Sequence, residues 1–65
     1  MKIYINDEVF ETEHTNLSDI LSNVTEDKKR IVVLVDDQPI EQSKWSTIDI
    51  KPEQKLELLE FVGGG

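Results

Sequence analysis

The end of the chain carries the residues best suited to chemistry. The sequence finishes with Phe61-Val62-Gly63-Gly64-Gly65. Glycine makes up about 7% of protein residues, so three in succession at a fixed position arise by chance about 3 times in 10,000. Residues 62–65 can span about 14 Å, and glycines fit through a tunnel too narrow for other side chains. One interpretation makes the Gly65 carboxylate the reactive group; the alternative is a frayed or linker-derived tail.

Two other places could in principle carry chemistry, and neither has the partners it would need. His14 is the single histidine and follows Glu13 in a connecting segment. Acid–base catalysis needs a positioned partner and a pocket, so a solvated loop histidine is the better prediction. Asp36-Asp37 resembles half of a metal site, but no further ligands follow at EF-hand or zinc spacing. We therefore predict no enzymatic activity, no bound metal and no bound cofactor.

The composition limits the class of protein and of partner. The chain has 65 residues, fourteen acidic and seven basic side chains, a net charge of −7 and no cysteine. This allows one domain and excludes disulfides and thiolate metal sites. The acidic field would repel nucleic acid and anionic membranes, and no apolar run approaches the ~20 residues of a membrane span. We expect a cytoplasmic protein that is monomeric when free and whose partners are proteins with a basic or apolar docking surface.

The first part of the chain predicts a hairpin followed by a helix. Apolar and polar residues alternate in Lys2-Ile3-Tyr4-Ile5, and Asn6-Asp7 is a turn signal, so we predict a hairpin over residues 2–12. Apolar residues then recur at helical spacing and predict a helix near 17–25 with Asn16 as its N-cap. The stripe consists of Leu17, Ile20, Leu21 and Val24.

The second part predicts strands separated by an irregular segment. The continuous apolar run 31–35 is typical of a strand covered on both faces. Asp36-Asp37-Gln38-Pro39 marks a turn before a short edge strand at Ile40. Residues 41–54 are predicted to be irregular, and residues 55–61 form the last strand. Three apolar residues of the irregular segment are expected to close the core: Trp45, Ile48 and Ile50.

This order of elements predicts an α+β fold of the β-grasp type. A mixed four- to five-stranded sheet would carry one helix across one face, with the first and last strands parallel in the middle. The domain would span residues 1–62, followed by a flexible glycine tail at 63–65. The predicted core consists of Ile3, Ile5, Leu17, Ile20, Leu21, Val33, Leu56 and Leu58.

The last strand also predicts a docking surface. If one of its faces packs on the helix, alternation sends Leu59 and Phe61 to the opposite face, beside Val62 and the tail. Large apolar side chains on an open face with an acidic rim are typical of an anchor for a protein partner. The alternative is that residues 41–54 cover them.

Several segments along the chain share one family pattern. They are Asn6-Asp7-Glu8, residues 17–21, residues 31–40, Ser43-Lys44-Trp45 and residues 56–65. Together they resemble, over the whole length, the ThiS-type sulfur carriers within the ubiquitin-like β-grasp proteins. The Trp45 segment, the short chain and the Val-Gly-Gly-Gly ending favour this family over the longer molybdopterin-synthase small subunits. Two turns depart from the family pattern, at Asp36-Asp37 and at Pro52-Glu53-Gln54.

The resemblance implies a co-substrate of thiamine thiazole biosynthesis. An E1-like (ThiF-like) enzyme would adenylate Gly65 with ATP and magnesium held by that enzyme. A cysteine-persulfide donor would convert Gly65 to a thiocarboxylate, and a ThiG-like thiazole synthase would accept the sulfur. Gly63 and Gly64 would form the tail, and Leu59, Phe61 and Val62 would dock. The alternatives are delivery to molybdopterin or another acceptor, a ubiquitin-like modifier, and a non-catalytic interaction module.

Overall fold

The computed structural model describes residues 1–26 and 28–60 of the chain, which form a five-stranded mixed sheet with one α-helix, α1, at Leu17–Val24. The strands are β1 (Lys2–Ile5), β2 (Glu8–Glu11), β3 (Ile31–Val35), β4 (Gln38–Ile40) and β5 (Lys55–Glu60). Their order in the sheet is β2-β1-β5-β3-β4. β1 and β5 are parallel, and the other neighbours are antiparallel. The predicted β-grasp fold is confirmed, with five strands.

Both hairpins close through two-residue turns of acidic and amide residues. The φ angles are 52° and 68° at Asn6 and Asp7, and 50° and 68° at Asp36 and Asp37. Positive φ at both central residues is the requirement of a type I′ turn, whose twist matches that of the flanking strands. Asn and Asp tolerate this region better than other residues with a side chain. The turn signal at Asn6-Asp7 is therefore confirmed. Of the predicted turn over residues 36–39, Asp36 and Asp37 form the turn, whereas Gln38 and Pro39 already belong to β4.

Asn16 begins α1 as predicted. Its Oδ1 accepts a hydrogen bond from the backbone N–H of Ser18 at 3.0 Å, and its Nδ2 donates to the carbonyl of Ser46 at 2.8 Å. Thr25 follows the last helical residue and donates its N–H to the Leu21 carbonyl. The helix thus ends one residue before the predicted boundary. No helix among the described residues is long and apolar enough to cross a membrane.

The core lies between α1 and one face of the sheet. Six of the eight predicted core residues are buried, whereas Ile5 and Leu58 are only partly buried and pack against its margin. Both lie on the predicted face, but the single short helix does not extend over them completely. The buried apolar residues are Ile3, Leu17, Ile20, Leu21, Ile31, Val33, Val35, Trp45, Ile50 and Leu56.

Two expectations about the second half of the chain were wrong. β3 is not covered on both faces, because Ile31, Val33 and Val35 are buried while the residues between them are half-buried. The segment 41–54 is not wholly irregular, since it contains a 3₁₀ helix at Gln42–Thr47. The indole N–H of Trp45 donates to the Ile40 carbonyl at 3.1 Å, and the side chain is 3% exposed. Trp45 thus closes the core as expected.

Candidate functional site

β5 is the element that would present the chain end. It lies in the middle of the sheet, between β1 and β3, and its last residue Glu60 pairs with Ile31. The predicted reactive residue and tail, Gly65, Gly64 and Gly63, lie outside the described residues, as do Phe61 and Val62. The described part of the central strand therefore reaches Glu60, which is five residues before Gly65 in the sequence.

Leu59 lies on the sheet face opposite α1, as predicted. It is 51% exposed and pairs with Val32 on β3. Because paired residues point to the same face, Leu59 and Val32 form an apolar cluster that the helix does not cover. The segment 41–54 leaves Leu59 exposed, so the alternative in which it covers that residue is wrong.

The open face continues from Leu59 to the sheet edge. Leu34 pairs with Glu57 on one side and with Pro39 on the other. We call Leu59, Val32, Leu34 and Pro39 the open-face cluster. Acidic Glu57 stands within it, as expected for an apolar surface with an acidic component.

A depression of about 420 Å³ adjoins this cluster. Because Ile31 lines it and pairs with Glu60, the depression lies at the end of the sheet from which residues 61–65 continue. The depression and the open-face cluster share Val32 and Pro39 and therefore form one continuous surface. Its lining residues are Ile31, Val32, Pro39, Ile40, Glu41, Gln42 and Trp45.

The sequence reasoning missed Val32, Leu34 and Pro39 as parts of this surface. The run 31–35 indicated burial on both sides, yet a chain with one predicted helix has an apolar layer for only one face of its sheet. An apolar run of five residues beside a single helical layer could have indicated that every second residue of β3 is uncovered. Val32 and Leu34 are therefore only half-buried.

The remaining candidate residues have structural roles. His14 is exposed, and its backbone N–H donates to Thr12 Oγ1 at 3.0 Å. Asp36 accepts a hydrogen bond from Gln54 Nε2 at 2.8 Å, which ties the β3–β4 turn to the start of β5. Residues 1–26 and 28–60 contain no group of three or more His, Asp or Glu side chains placed to hold a metal ion.

Comparison with known proteins decides the family. The model of the ThiS family matches residues 2–65. The chain belongs to the ThiS family. The match extends through the glycine tail, and it confirms the resemblance stated above. No curated protein sequence matches the chain.

Two solved structures share the ThiS fold. The crystal structure of the thiamine biosynthesis protein ThiS from Geobacter metallireducens is 20% identical, with complete coverage of both chains (100%) and a TM-score of 0.85. A solution NMR structure of a thiamine biosynthesis protein from the same organism is 23% identical, with a TM-score of 0.78, and the match covers 100% of this chain and 88% of that one. At such identities the likeness establishes the β-grasp fold, while the ThiS family match supports a role in sulfur transfer for thiamine.

Proposed function

We propose that this ThiS-family chain is a sulfur carrier of thiamine thiazole biosynthesis and that Gly65 carries the sulfur as a C-terminal thiocarboxylate. The observation that supports this most directly is the position of β5. The central strand is described as far as Glu60, next to the exposed Leu59 and five residues before Gly65. A partner that binds the open-face cluster would therefore hold the tail close to its own active site.

The proposed chemistry activates the Gly65 carboxyl group and replaces one of its oxygens by sulfur in three steps. A carboxylate oxygen attacks the α-phosphorus of ATP in an E1-like enzyme, which binds the nucleotide and magnesium, and pyrophosphate leaves. The terminal sulfur of a cysteine persulfide then attacks the acyl-adenylate carbonyl and AMP leaves. Reductive cleavage of the resulting acyl disulfide by a thiol gives the thiocarboxylate and a disulfide. The chain supplies the carboxyl group and its presentation, and no catalytic side chain.

The proposed docking site combines Leu59 with Phe61 and Val62. Leu59 is the described member, and Val32 beside it widens the apolar contact. The fourteen acidic side chains favour partners with a basic rim, since complementary charge speeds association. The adenylating enzyme and the thiazole synthase would use this surface in turn.

The first test removes or blocks the tail. Deletion of Gly65 moves the carboxylate inward by about 3.5 Å, and a misplacement of about 1 Å already costs about a hundredfold in rate. We expect almost no pyrophosphate release by the adenylating enzyme. Gly64→Val keeps the length but adds a branched side chain, and it should fail as well. Thermal melts are the control, because neither change touches the described body. Wild-type turnover by the shortened chain would contradict the proposal.

The second test separates docking from folding. Leu59→Ala should weaken binding to the adenylating enzyme about fivefold or more, as truncation of an anchor residue does, with little change in melting temperature. Val9→Ala is the matched control, because Val9 is 61% exposed but lies on β2, at the far edge of the sheet. Calorimetric titration measures both variants. Equal affinities would remove Leu59 from the docking site, and a large loss of stability would place it in the core.

A further inference from the structure

The two type I′ turns both make side-chain contacts with the last strand or the residue before it. In each, the side chain of the first turn residue reaches across to β5. Asp36 Oδ2 accepts from Gln54 Nε2 at 2.8 Å, and its Oδ1 lies 3.4 Å from the backbone N–H of Lys55. Asn6 contacts Leu58 on the other side of the same strand. One turn thus holds the beginning of β5, and the other holds its second half.

The Asn6 side chain bonds to β5 beyond the point where the backbone of β1 stops pairing with it. Backbone pairing of β1 with β5 ends early, with Ile5 opposite Leu56 and the Asn6 N–H donating to the Leu56 carbonyl at 3.0 Å. Beyond that point β1 turns away. The Asn6 carboxamide then accepts from the Leu58 N–H at 2.9 Å through Oδ1 and approaches the Leu58 carbonyl at 3.4 Å through Nδ2. An amide side chain here reproduces the donor and acceptor of a backbone peptide.

The contact lies where it bears on the chain end. Leu58 is two residues before Glu60, the last residue of β5. Beyond Asn6, the described neighbour that pairs with β5 is β3, at Val32 and Ile31. A strand paired on one side bends and twists more freely than one paired on both. The Asn6 side chain therefore limits the movement of the second half of β5, up to Glu60.

We propose that Asn6 is a positioning residue for adenylation of Gly65: its carboxamide fixes the second half of β5 and so fixes Glu60, five residues before Gly65. This inference rests on the proposed function. It assigns Asn6 a role in the rate of the reaction that is separate from docking, because Leu59 and Val32 lie on the open face and do not take part in the contact. Asp36 contacts the beginning of β5 and not its second half, so we assign it no such role.

The test compares Asn6→Gly with Asp36→Gly. Glycine accepts positive φ at both positions, so each variant keeps its turn and loses only the side-chain contacts to β5. Adenylation is measured below the lower of the two melting midpoints. We expect Asn6→Gly to lower kcat about tenfold or more, as small misplacements do, with KM nearly unchanged, and Asp36→Gly to keep both constants. Equal kcat values in the two variants would overturn the proposal.

Two further measurements separate this proposal from the proposed function. Asn6→Asp retains the acceptor for the Leu58 N–H, so it should recover most of the parental kcat; a value as low as that of Asn6→Gly would overturn the positioning role. Amide hydrogen exchange needs no partner enzyme. In Asn6→Gly the Leu58 amide should exchange about 2- to 10-fold faster, the factor of one ordinary hydrogen bond. Unchanged exchange would refute the contact, whereas absent pyrophosphate release from the parent chain would refute the carrier function.

Discussion

At the scale of single residues, Asn16 joins two elements that are distant in sequence. Its Oδ1 caps α1 through Ser18, and its Nδ2 donates to the Ser46 carbonyl in the 3₁₀ helix. The Leu17 N–H adds a bond to the Ile48 carbonyl at 2.9 Å. One amide side chain therefore both begins the helix and attaches the segment that carries Trp45 to it.

Substitution of Asn16 should separate these two roles. Asn16→Ala removes both bonds and should lower the free energy of unfolding by about 1–2 kcal/mol, at the upper end for a lost N-cap. Asn16→Asp keeps the capping oxygen and adds a charge that the helix dipole favours, so it should lose less. Urea denaturation followed by circular dichroism measures both. Equal losses in the two variants would show that the bond to Ser46, and not the cap, carries the effect.

The central strand also offers a residue-level comparison of burial. Leu56 is 2% exposed, whereas Leu58 lies at the margin of the core. Leu56→Ala should cost about 2–5 kcal/mol, the usual range for a fully buried leucine, and Leu58→Ala should cost less. Both substitutions lie on β5, so β propensity is matched. A larger loss at Leu58 in equilibrium unfolding would contradict the burial seen here.

At the scale of elements, the sequence predicts the helix and the turns, which depend on residues close together in the chain. The bounds of α1 follow from Asn16 and the apolar spacing after it, and the hairpins follow from Asn6-Asp7 and Asp36-Asp37. The 3₁₀ helix at Gln42–Thr47 could not be predicted in the same way. It has no apolar period, and it is fixed by contacts of Trp45 with Ile40 and of Ser46 with Asn16.

The candidate site also contains residues predicted from the local sequence and residues that depend on contacts between distant parts of the chain. Leu59 was predicted because alternation along β5 is a local property. The other open-face residues, Val32 and Leu34, became identifiable only when the register of β3 against β5 was known. The role proposed for the glycine tail rests on its position in the sequence. The contact of Asn6 with Leu58 depends on a pairing between residues 52 positions apart, which the sequence does not reveal.

The backbone conformation of the turn between β3 and β4 predicts how substitutions there change the stability of the fold. Asp37 has a φ of 68°, and glycine adopts that region without the steric cost of a Cβ atom. Asp37→Gly should raise the free energy of unfolding by up to about 1 kcal/mol, whereas Asp37→Ala should lower it by about 1 kcal/mol. Midpoints of urea denaturation report the order. An alanine variant as stable as the glycine variant would mean that the turn relaxes to another conformation.

At the scale of the whole molecule, the net charge of −7 acts on folding and on association in opposite ways. Repulsion among the acidic side chains opposes the compact state, while the same field attracts a partner with a basic surface. Increasing the salt concentration from about 0.01 M to 0.1 M shortens the screening length from about 30 Å to about 10 Å. Salt should therefore stabilise the fold and slow the association.

Both effects can be measured on one preparation. The melting temperature should rise over this range of sodium chloride, and the association rate with the adenylating enzyme, from stopped-flow mixing, should fall. Potassium chloride at the same ionic strength is the control for ion-specific effects. A melting temperature that falls with salt would show that ion pairs such as Lys2–Glu53, at 3.9 Å, outweigh the general repulsion.

The place of β5 has a further consequence for the order of synthesis. β5 is the middle strand of the sheet and is made after the other four. Until residues 55–60 emerge from the ribosome, the segments of β1–β2 and β3–β4 lack the strand that joins them in the sheet. An interrupted chain would expose the apolar faces of both hairpins and be open to proteolysis. β5 is thus the strand that completes the sheet, so under the proposed function the sheet can form before an enzyme acts on Gly65.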